Sequence, residues 1–270
     1  MADSRLIRAI RVEPGDRPRL DARDTRDRLG IAGKQTAARR LQELVARLAL
    51  LHNRLWAEGS RSVLLLLQGL DASGKDGTIR KVFTGVNPMG CSVSAFKAPT
   101  GVELRHDYLW RIHAACPERG QIGIFNRSHY EDVVAVRVRK LAPESVWRRR
   151  PRHIREFERL LRDEATVPVK VFLHISPDEQ KRRLQERLDD PEKRWKFRPE
   201  DLDDRRRWDD FQAAYEEVIR ETSTDWAPWH VVPADRKWVR NVAVAELLVA
   251  TLERMDPQLP NPHFDALTIE

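Results

Sequence analysis

Apolar and polar positions along this chain fall into blocks that predict strands alternating with helices. A nearly continuous apolar run over residues 62–68 predicts a buried strand. Further apolar runs predict four more strands, at 91–96, 121–125, 168–175 and 229–232. Helical spacing of apolar residues predicts helices at 35–57, 74–84, 106–113 and 242–255. This order predicts an α/β fold with a five-stranded parallel sheet and right-handed crossovers.

The same pattern predicts one main domain. Residues 1–34 are polar and charged without sustained periodicity, which predicts an N-terminal arm lying on the domain. Residues 35–260 form the domain, and 261–270 form a C-terminal tail. Thr100, with Glu103 three residues later, predicts a capping box at the start of the helix at 106–113.

The chemistry begins where the first strand ends. Gly69 and Gly74 permit a tight turn, and Lys75 stands at the start of a helix. Backbone N–H groups in such a loop point at an anion, which the helix dipole also favours. We therefore predict phosphate binding, with a plain glycine turn as the alternative. The predicted phosphate-binding residues of this loop are Gly69, Ala72, Ser73, Gly74, Lys75, Asp76 and Gly77.

Two carboxylates in the loop point to a divalent cation. Asp76 stands where most loops of this kind place Ser or Thr as a magnesium ligand, and Asp71 lies within the loop itself. Negative charge beside a phosphate site is favourable when a cation lies between them. We favour Asp71 as the Mg²⁺ ligand. For Asp76 we favour the ordinary preference for an acid in the first helical turn.

A second group of polar residues follows the strand at 121–125. Arg127 is a candidate contact for the transferring phosphoryl group, and Glu131 and Asp132 are candidates for metal binding or for action on the acceptor. The alternative is an ordinary helical first turn, where acids are favoured in any case. His129 is the nearest candidate for a covalent phosphohistidine, but a hydrogen bond on a helix surface is its favoured interpretation.

Composition narrows the classes of possible binding partners. The chain has a formal net charge of +7 with 34% charged residues, which indicates an anionic partner. Cationic residues are dense in residues 181–210, and we predict a lid over phosphates there, with a solvated helix pair as the alternative. Two cysteines, no signal-peptide pattern and no apolar run of membrane-spanning length predict a cytoplasmic protein without membrane association.

Several segments together resemble the polyphosphate kinase 2 family, in consistent order from about residue 35 to 260. These segments are 69–77, 125–132, 195–197, 222–224, 227–229 and 233–238. The resemblance implies a three-layer α/β/α P-loop kinase fold, similar to thymidylate kinases, with a helical lid at about 181–210. It implies direct, reversible phosphoryl transfer between inorganic polyphosphate and a nucleoside mono- or diphosphate, with Mg²⁺ or, as a substitute, Mn²⁺.

The resemblance also implies roles for individual residues. Asp71 and Asp132 match the acidic metal and catalytic positions, Lys75 the P-loop lysine and Arg127 the phosphate-contacting arginine, and all four are implied to be catalytic. Glu131 beside Asp132 resembles the subgroup that accepts both AMP and ADP. The implied phosphate-binding residues of the lid are Lys181, Arg183 and Arg187, the last also catalytic. The implied nucleotide-binding residues are Lys97, Pro99, Asp107, Arg111, Arg127 and Glu131. A homodimer or homotetramer is implied as well.

Two other functions compete with this interpretation. An ATP-dependent nucleotide kinase of the same fold would share the loop and the lid. A nucleic-acid-binding protein would use the basic surface, but here basic residues alternate with acids and no aromatic-rich strand is present, so we expect no nucleic-acid partner.

Overall fold

A six-stranded sheet forms the centre of the part of the chain that the structure, a computed structural model, describes, namely residues 3–261. The strands are β1 (Arg11–Val12), β2 (Ser62–Gln68), β3 (Cys91–Ala95), β4 (Ile122–Asn126), β5 (Thr166–His174) and β6 (Trp229–Pro233). Their order across the sheet is β1-β6-β5-β2-β4-β3. The five strands β2 to β6 are parallel, and β1 is antiparallel to β6.

The prediction of five strands is wrong, because the sheet has a sixth strand, β1, which lies in the predicted N-terminal arm. This strand has two residues, too few to show an alternating pattern in the sequence. It follows helix α1 (Arg5–Ile10), whose first turn is capped by Ser4: the Ile7 N–H donates to Ser4 Oγ at 3.2 Å. Leu6, Ile7 and Ile10 of α1 are buried in the core.

Helices cover both faces of the sheet. In chain order they are α2 (Lys34–Glu58), α3 (Lys75–Val82), α4 (Trp110–Ala114), α5 (Glu131–Val138), α6 (Glu144–Trp147), α7 (Arg150–Asp163), α8 (Pro177–Asp189), α9 (Glu200–Arg206), α10 (Trp208–Thr222) and α11 (Lys237–Met255). Helices α1, α2, α3 and α11 contribute to one hydrophobic core, and α5, α7 and α10 contribute to the other.

The central strand β2 belongs to both cores. Val63, Leu65 and Leu67 pack into the core with α11, whereas Leu64 and Leu66 pack into the core with α10. All seven β2 residues are buried, which explains why the segment reads as a continuous apolar run and not as an alternating one. The predicted three-layer α/β/α architecture is confirmed.

Several helix predictions need correction. The predicted helix at 106–113 begins only at Trp110, and the capping box serves a 3₁₀ turn, Glu103–Arg105, instead. In that box the Thr100 N–H donates to Glu103 Oε2 at 2.6 Å, and the Glu103 N–H donates to Thr100 Oγ1 at 3.4 Å. The closing helix α11 begins at Lys237, five residues earlier than predicted. Except for residue 261, the predicted C-terminal tail lies outside the described residues.

The sheet positions the loop after β2 between two neighbouring strands. β2 pairs with β4 on one side, Leu67 opposite Asn126, and with β5 on the other side. Because parallel strands place their carboxyl ends at one edge, the segments after β2, β4 and β5 meet there. Within residues 3–261, none of the helices combines the length and the apolar character needed to cross a bilayer.

Candidate active site

The loop from Gly69 to Gly74 connects β2 to α3 and requires glycine at both ends. Gly69 has φ +144°, and a Cβ there would lie 2.8 Å from the Leu173 carbonyl oxygen. Gly74 has φ +103°, and a Cβ there would collide with the guanidinium of Arg240. A side chain at either position would be strained, because both the backbone conformation and the space favour glycine.

The loop presents unpartnered donors at the start of α3. Within the described residues 3–261, the backbone N–H groups of residues 74–77 have no hydrogen-bond acceptor. The Lys75 side chain is buried, and its Nζ donates to the carbonyl oxygens of Gly69, at 2.6 Å, and Leu70, at 3.4 Å. N–H groups and a buried ammonium that face one space at a helix N-terminus form an anion cradle. The Ser73 N–H is not among these donors, because it bonds to the Leu70 carbonyl.

Two buried arginines support this loop from behind. Arg183 Nε donates to Glu179 Oε1 at 2.7 Å, its Nη1 to the carbonyls of Ala72 and Ser73, and its Nη2 to those of Ala234 and Asp235. Arg240 Nη1 donates to the same Ser73 carbonyl at 3.1 Å. Burial, together with repulsion from Arg183, lowers the pKa of Arg240 to about 9.

The expectation that Arg183 binds phosphate needs correction. All five N–H donors of its guanidinium are used by Glu179 and by four backbone carbonyls. Arg183 therefore holds the shape of the P-loop and has no donor free for a phosphate in this conformation. The groups that the Arg183 side chain contacts depend on the segments packed against α8, which the sequence pattern does not show.

Six ionisable side chains meet in front of the loop, and we call them the charge cluster. They are Asp71, Lys75, Arg127, Glu131, Arg187 and Asp201. An Arg127 guanidinium nitrogen contacts Asp71 Oδ1, and Arg187 Nη1 lies 3.4 Å from Asp201 Oδ2. Arg127 itself has φ +64°, an uncommon conformation for a side-chain-bearing residue, which turns the chain at the end of β4.

The pKa values show how strongly these groups interact. Burial would raise the pKa of Asp71, but attraction to Arg127 and Lys75 outweighs burial, and the pKa lies below its ordinary value. Burial and repulsion from Arg127 lower the pKa of Lys75 to about 8. Burial raises the pKa of Glu131, and burial with repulsion from Asp71 raises that of Asp201 to about 6. Shifts with specific charged partners of this kind are typical of functional sites.

Asp76 links three parts of the site. Its Oδ1 accepts a hydrogen bond from Asn126 Nδ2 at 2.6 Å, at the end of β4. Its Oδ2 lies 3.8 Å from Lys196 Nζ in the predicted lid. Its side chain is 61% exposed, so the ion pair with Lys196 is weak. Asp76 thus contacts both the strand and the lid, in addition to standing in the first turn of α3.

A second arginine group lies beside the charge cluster at the start of α5. Asp132 is buried, with Arg111 Nη2 at 3.5 Å from its Oδ2 and Arg150 Nη1 at 3.9 Å from its Oδ1. Burial raises the pKa of Asp132, and attraction to these two arginines opposes the rise. Arg111 also donates to the Lys97 carbonyl at 2.9 Å. The structure therefore brings Arg111, predicted at the nucleotide end, into contact with Asp132, predicted as a metal ligand.

Four predicted site residues lie on the surface. Lys97 and Pro99 follow β3 and are exposed. Lys97 contacts the site through its backbone carbonyl, which accepts a hydrogen bond from Arg111. Asp107 is exposed, and its Oδ1 accepts the Leu109 N–H at 2.9 Å. Lys181 is exposed on α8. Their predicted roles in substrate binding stay predictions.

The predicted lid combines the two interpretations that the sequence left open. On the outer side of α8, Arg182 pairs with Glu179 at 2.5 Å and also contacts Glu186, as in a solvated helix. On the inner side, Gln180 Nε2 donates to the Asp71 carbonyl at 3.1 Å, and Arg187 reaches Asp201 of α9. One face of α8 is therefore a surface and the other belongs to the site.

The acidic residues fit a divalent cation that shares its shell with a substrate. Among residues 3–261, no three His, Cys, Asp or Glu side chains come together as a complete metal site. Mg²⁺ is usually held by one or two carboxylates, with phosphate oxygens and waters completing the shell. Asp71 beside the anion cradle supplies this kind of donor. Glu131 and Asp132, at the start of α5, are the candidates for a second one.

Sequence reasoning missed two residues and misplaced one. Asp201 lies on α9, and no motif in the sequence marks it. Arg240 contacts the loop from α11. An arginine within an otherwise apolar helical pattern is a signal that could have indicated this contact. His129, predicted on a helix surface, is completely buried, with its Nε2 3.4 Å from Glu158 Oε1, because α7 packs over it.

A parallel sheet with an anion cradle at its carboxyl edge, acidic side chains beside it and a helical lid defines a P-loop phosphotransferase. The family model described as Polyphosphate kinase 2 matches residues 32–260. The chain belongs to this family.

Similar proteins extend over nearly the whole chain. A protein of Meiothermus ruber named AMP/ADP-polyphosphate phosphotransferase is 56% identical over 257 residues, covering 95% of this chain and 96% of that protein. An ADP-polyphosphate phosphotransferase of Rhodopseudomonas palustris is 45% identical and covers 82% of this chain and 80% of its own. The crystal structure of polyphosphate kinase 2 from Arthrobacter aurescens TC1 has a TM-score of 0.92 at 42% identity, covering 98% and 94% of the two chains.

Proposed function

We propose that this protein transfers the terminal phosphoryl group of inorganic polyphosphate to AMP or ADP, reversibly and in one direct step. The bond between the terminal phosphorus and its bridging oxygen breaks, and the shortened polyphosphate leaves with the electron pair. A new bond forms between that phosphorus and a terminal phosphate oxygen of the nucleotide. The acceptor oxygen is already anionic, so alignment contributes more than a general base.

The side chains of the site divide this work among them. The N–H groups of residues 74–77 and Lys75 hold phosphate oxygens at the cradle. Arg127 and Arg187 contact the phosphoryl group in transfer, where added negative charge is stabilised by fixed cations. Arg111 lies at the nucleotide end, with Lys97, Pro99 and Asp107 on the surface nearby. Lys181 extends the cationic surface of the lid along the donor.

Asp71, with Glu131 and Asp132, would hold a divalent cation, Mg²⁺ or in its place Mn²⁺. When bound, this cation supplies positive charge between the donor and acceptor phosphates. Asp71 is kept ionised by Arg127 and Lys75, so that its oxygens are available as ligands near neutral pH. The buried arginines Arg183 and Arg240 keep the loop carbonyls turned away from the anion.

One observation carries the proposal more than any other. The unpartnered N–H groups of residues 74–77 and the buried Lys75 lie beside Asp71 and Arg127, in a chain that belongs to the polyphosphate kinase 2 family. The cradle supports phosphate binding, and the names of the relatives from Meiothermus and Rhodopseudomonas support polyphosphate as donor and AMP or ADP as acceptor.

Product analysis tests this function. The purified protein is incubated with polyphosphate as the only donor and AMP, ADP or GDP as acceptor, and nucleotides are separated by chromatography. We expect ADP and then ATP to form from AMP, and ATP to form from ADP. A protein that phosphorylates nucleotides only with ATP as donor would contradict the proposal and indicate an ATP-dependent nucleotide kinase.

We further propose that the protein is a cytoplasmic homodimer or homotetramer that binds neither nucleic acid nor membranes. Resemblance to the family supports the assembly. Sedimentation velocity measures the oligomeric state directly. Polyphosphate binding that excess duplex DNA fails to displace would separate a polyphosphate site from a general polyanion surface.

A further inference from the structure

Helix α9 of the lid places one carboxylate inside the charge cluster. Asp201 is only 6% exposed, whereas the side chain of Asp203 on the same helix is 62% exposed. Asp201 Oδ2 lies 3.4 Å from Arg187 Nη1. Asp201 is also close enough to Asp71 and Arg127 for their charges to shift its pKa. A lid carboxylate thus faces the arginine that we assign to the transferring phosphoryl group.

The charge cluster holds equal numbers of acidic and basic side chains. Its acidic members are Asp71, Glu131 and Asp201, and its basic members are Lys75, Arg127 and Arg187. A phosphate that enters this space adds negative charge beside carboxylates, which is costly in a buried site. The guanidinium of Arg187 is planar and suits phosphate oxygens in a two-point contact. Phosphate and Asp201 therefore compete for the same donors.

Asp201 is held less firmly than its neighbour on the helix. Asp204, one turn further along α9, accepts from both Arg139 Nε, at 3.0 Å, and Arg139 Nη2. That pair fixes α9 to the end of α5. The contact between Asp201 and Arg187 is single and, at 3.4 Å, longer, so it is the weaker of the two pairs that α9 makes.

We propose that Asp201 occupies the position on Arg187 that a phosphate of polyphosphate takes when it binds. Competition between Asp201 and this phosphate then sets the affinity for the polyphosphate donor. The inference rests on the proposed function. In the free protein, Asp201 keeps Arg187 neutralised and α9 against the site. When polyphosphate binds, Asp201 leaves Arg187 and α9 shifts with it. When the shortened chain dissociates, Asp201 returns and so accelerates release.

Binding measurements on charge variants test this inference. Polyphosphate of one defined length is titrated into the intact protein without nucleotide, and the dissociation constant is measured by calorimetry. We expect Asp201→Asn to bind at least about fivefold more tightly than the wild type, because the competing anion is gone. In turnover, its KM for polyphosphate and its kcat should both fall, with the KM for ADP unchanged. Asp203→Asn, on the exposed side of α9, should match the wild type within about twofold.

Further variants separate competition from other roles. Asp201→Glu keeps the charge and should keep the wild-type affinity. Asp201→Ser removes the charge with a smaller side chain, and should also bind more tightly, so a misfolded Asp201→Asn protein does not end the test. Affinity that is unchanged or weaker in both neutral variants overturns the inference, and so does a raised Mg²⁺ requirement, which would make Asp201 a metal ligand.

Failure of the inference is distinguishable from failure of the function. A wild-type protein that binds no polyphosphate and makes no ATP from ADP overturns both. A wild-type protein that does both, alongside neutral variants with unaltered affinity, overturns only the competition by Asp201.

Discussion

Lys75 is the residue on which the anion cradle depends. Its Nζ sits 2.6 Å from the Gly69 carbonyl oxygen inside its own loop, and its side chain is buried. Burial and repulsion from Arg127 lower its pKa to about 8, so the ammonium is only weakly stabilised in the free protein. A bound phosphate would provide the counter-charge that the loop carbonyls supply only in part.

Removing this charge should abolish most of the activity. We expect Lys75→Ala to lower the turnover of ADP with polyphosphate by at least about a hundredfold, as the loss of a preorganised charge contact does. The exposed Lys81 of the same helix gives the control, and Lys81→Ala should retain wild-type turnover. ATP formation is measured by a coupled assay. Lys75→Ala turnover close to the wild type would contradict the cradle.

The lowered pKa of Lys75 predicts proton uptake on binding. A phosphate at Nζ raises that pKa above its free value of about 8, so at a pH of about 8.5 the complex holds more protons than the free protein. Affinity for polyphosphate should therefore fall as the pH rises through that value. Calorimetric titrations in two buffers with different ionisation enthalpies measure the uptake. Proton release, or the same uptake in Lys75→Met, would contradict this assignment.

The lowered pKa of Lys75 also determines how its contribution to folding stability changes with pH. Unfolded lysine has a pKa of about 10.4, above the folded value of about 8. Between the two values the unfolded chain binds more protons, so the contribution of Lys75 to stability rises with pH across this window. Binding and stability therefore change in opposite directions with pH at this residue, which allows the two effects to be separated.

At the scale of elements, α8 and α11 hold the P-loop, residues 69–75, in its conformation through hydrogen bonds to its backbone carbonyls. Arg183 of α8 bonds four carbonyls, of Ala72, Ser73, Ala234 and Asp235, and Arg240 of α11 bonds that of Ser73. These helices are far apart in sequence, yet they orient one loop. The carbonyls of that loop therefore have partners on this side, whereas within residues 3–261 the N–H groups of residues 74–77 have no acceptor.

Loss of the Arg183 contacts should cost both stability and activity. We expect Arg183→Gln to lower the free energy of unfolding by about 3 kcal/mol, since several buried carbonyls lose a charged donor. The neighbouring Arg182→Gln removes the pairs that the exposed Arg182 makes with Glu179 and Glu186, and should cost less than about 1 kcal/mol. Urea denaturation followed by circular dichroism measures both. Equal effects of the two substitutions would contradict the bracing role.

The elements show what the sequence can and cannot predict. β2 and its P-loop were predictable because a buried strand, two glycines and Lys75 are all local signals. β1 was not, since two residues carry no period, and the start of α4 was misjudged because Thr100 and Glu103 cap a 3₁₀ turn.

The site was predictable only in part, for a related reason. Asp71 and Arg127 follow strand ends that meet at one edge, so the pattern places them together. The position of Asp201, and the use of Arg183 on carbonyls, depend on how the lid packs. The family segment at 222–224 has a structural role: Trp229 Nε1 donates to Thr222 Oγ1 at 2.8 Å.

At the scale of the whole molecule, a buried ionic network connects strand β5, helix α7 and the segment that precedes α5. Lys170 of β5 donates to Glu158 of α7 at 2.7 Å and to the Thr222 carbonyl at 2.6 Å, and Tyr130 donates to Glu158 at 2.7 Å. Lys170 and Glu158 are completely buried. Tyr130 directly precedes α5, so this network fixes the segment that carries Arg127 and Glu131 to the core.

Breaking this pair should destabilise the fold strongly. We expect Lys170→Met to lower the free energy of unfolding by about 3–5 kcal/mol, because Glu158 is left as an unpaired buried charge. Adding Glu158→Gln should restore part of the loss, since the unpaired charge is then removed. Denaturant unfolding of the two single variants, Lys170→Met and Glu158→Gln, and of the double variant checks this coupling. A double variant with the summed loss of the two single ones would contradict it.

The central claim is that excess negative charge at the P-loop, from carboxylates and phosphates together, is balanced by a bound divalent cation. The most direct measurement is ATP formation from ADP and polyphosphate by the wild-type protein, with metal removed by a chelator and then restored. The account predicts no ATP with excess chelator and full recovery when Mg²⁺ is added back. Undiminished ATP formation in excess chelator would contradict it.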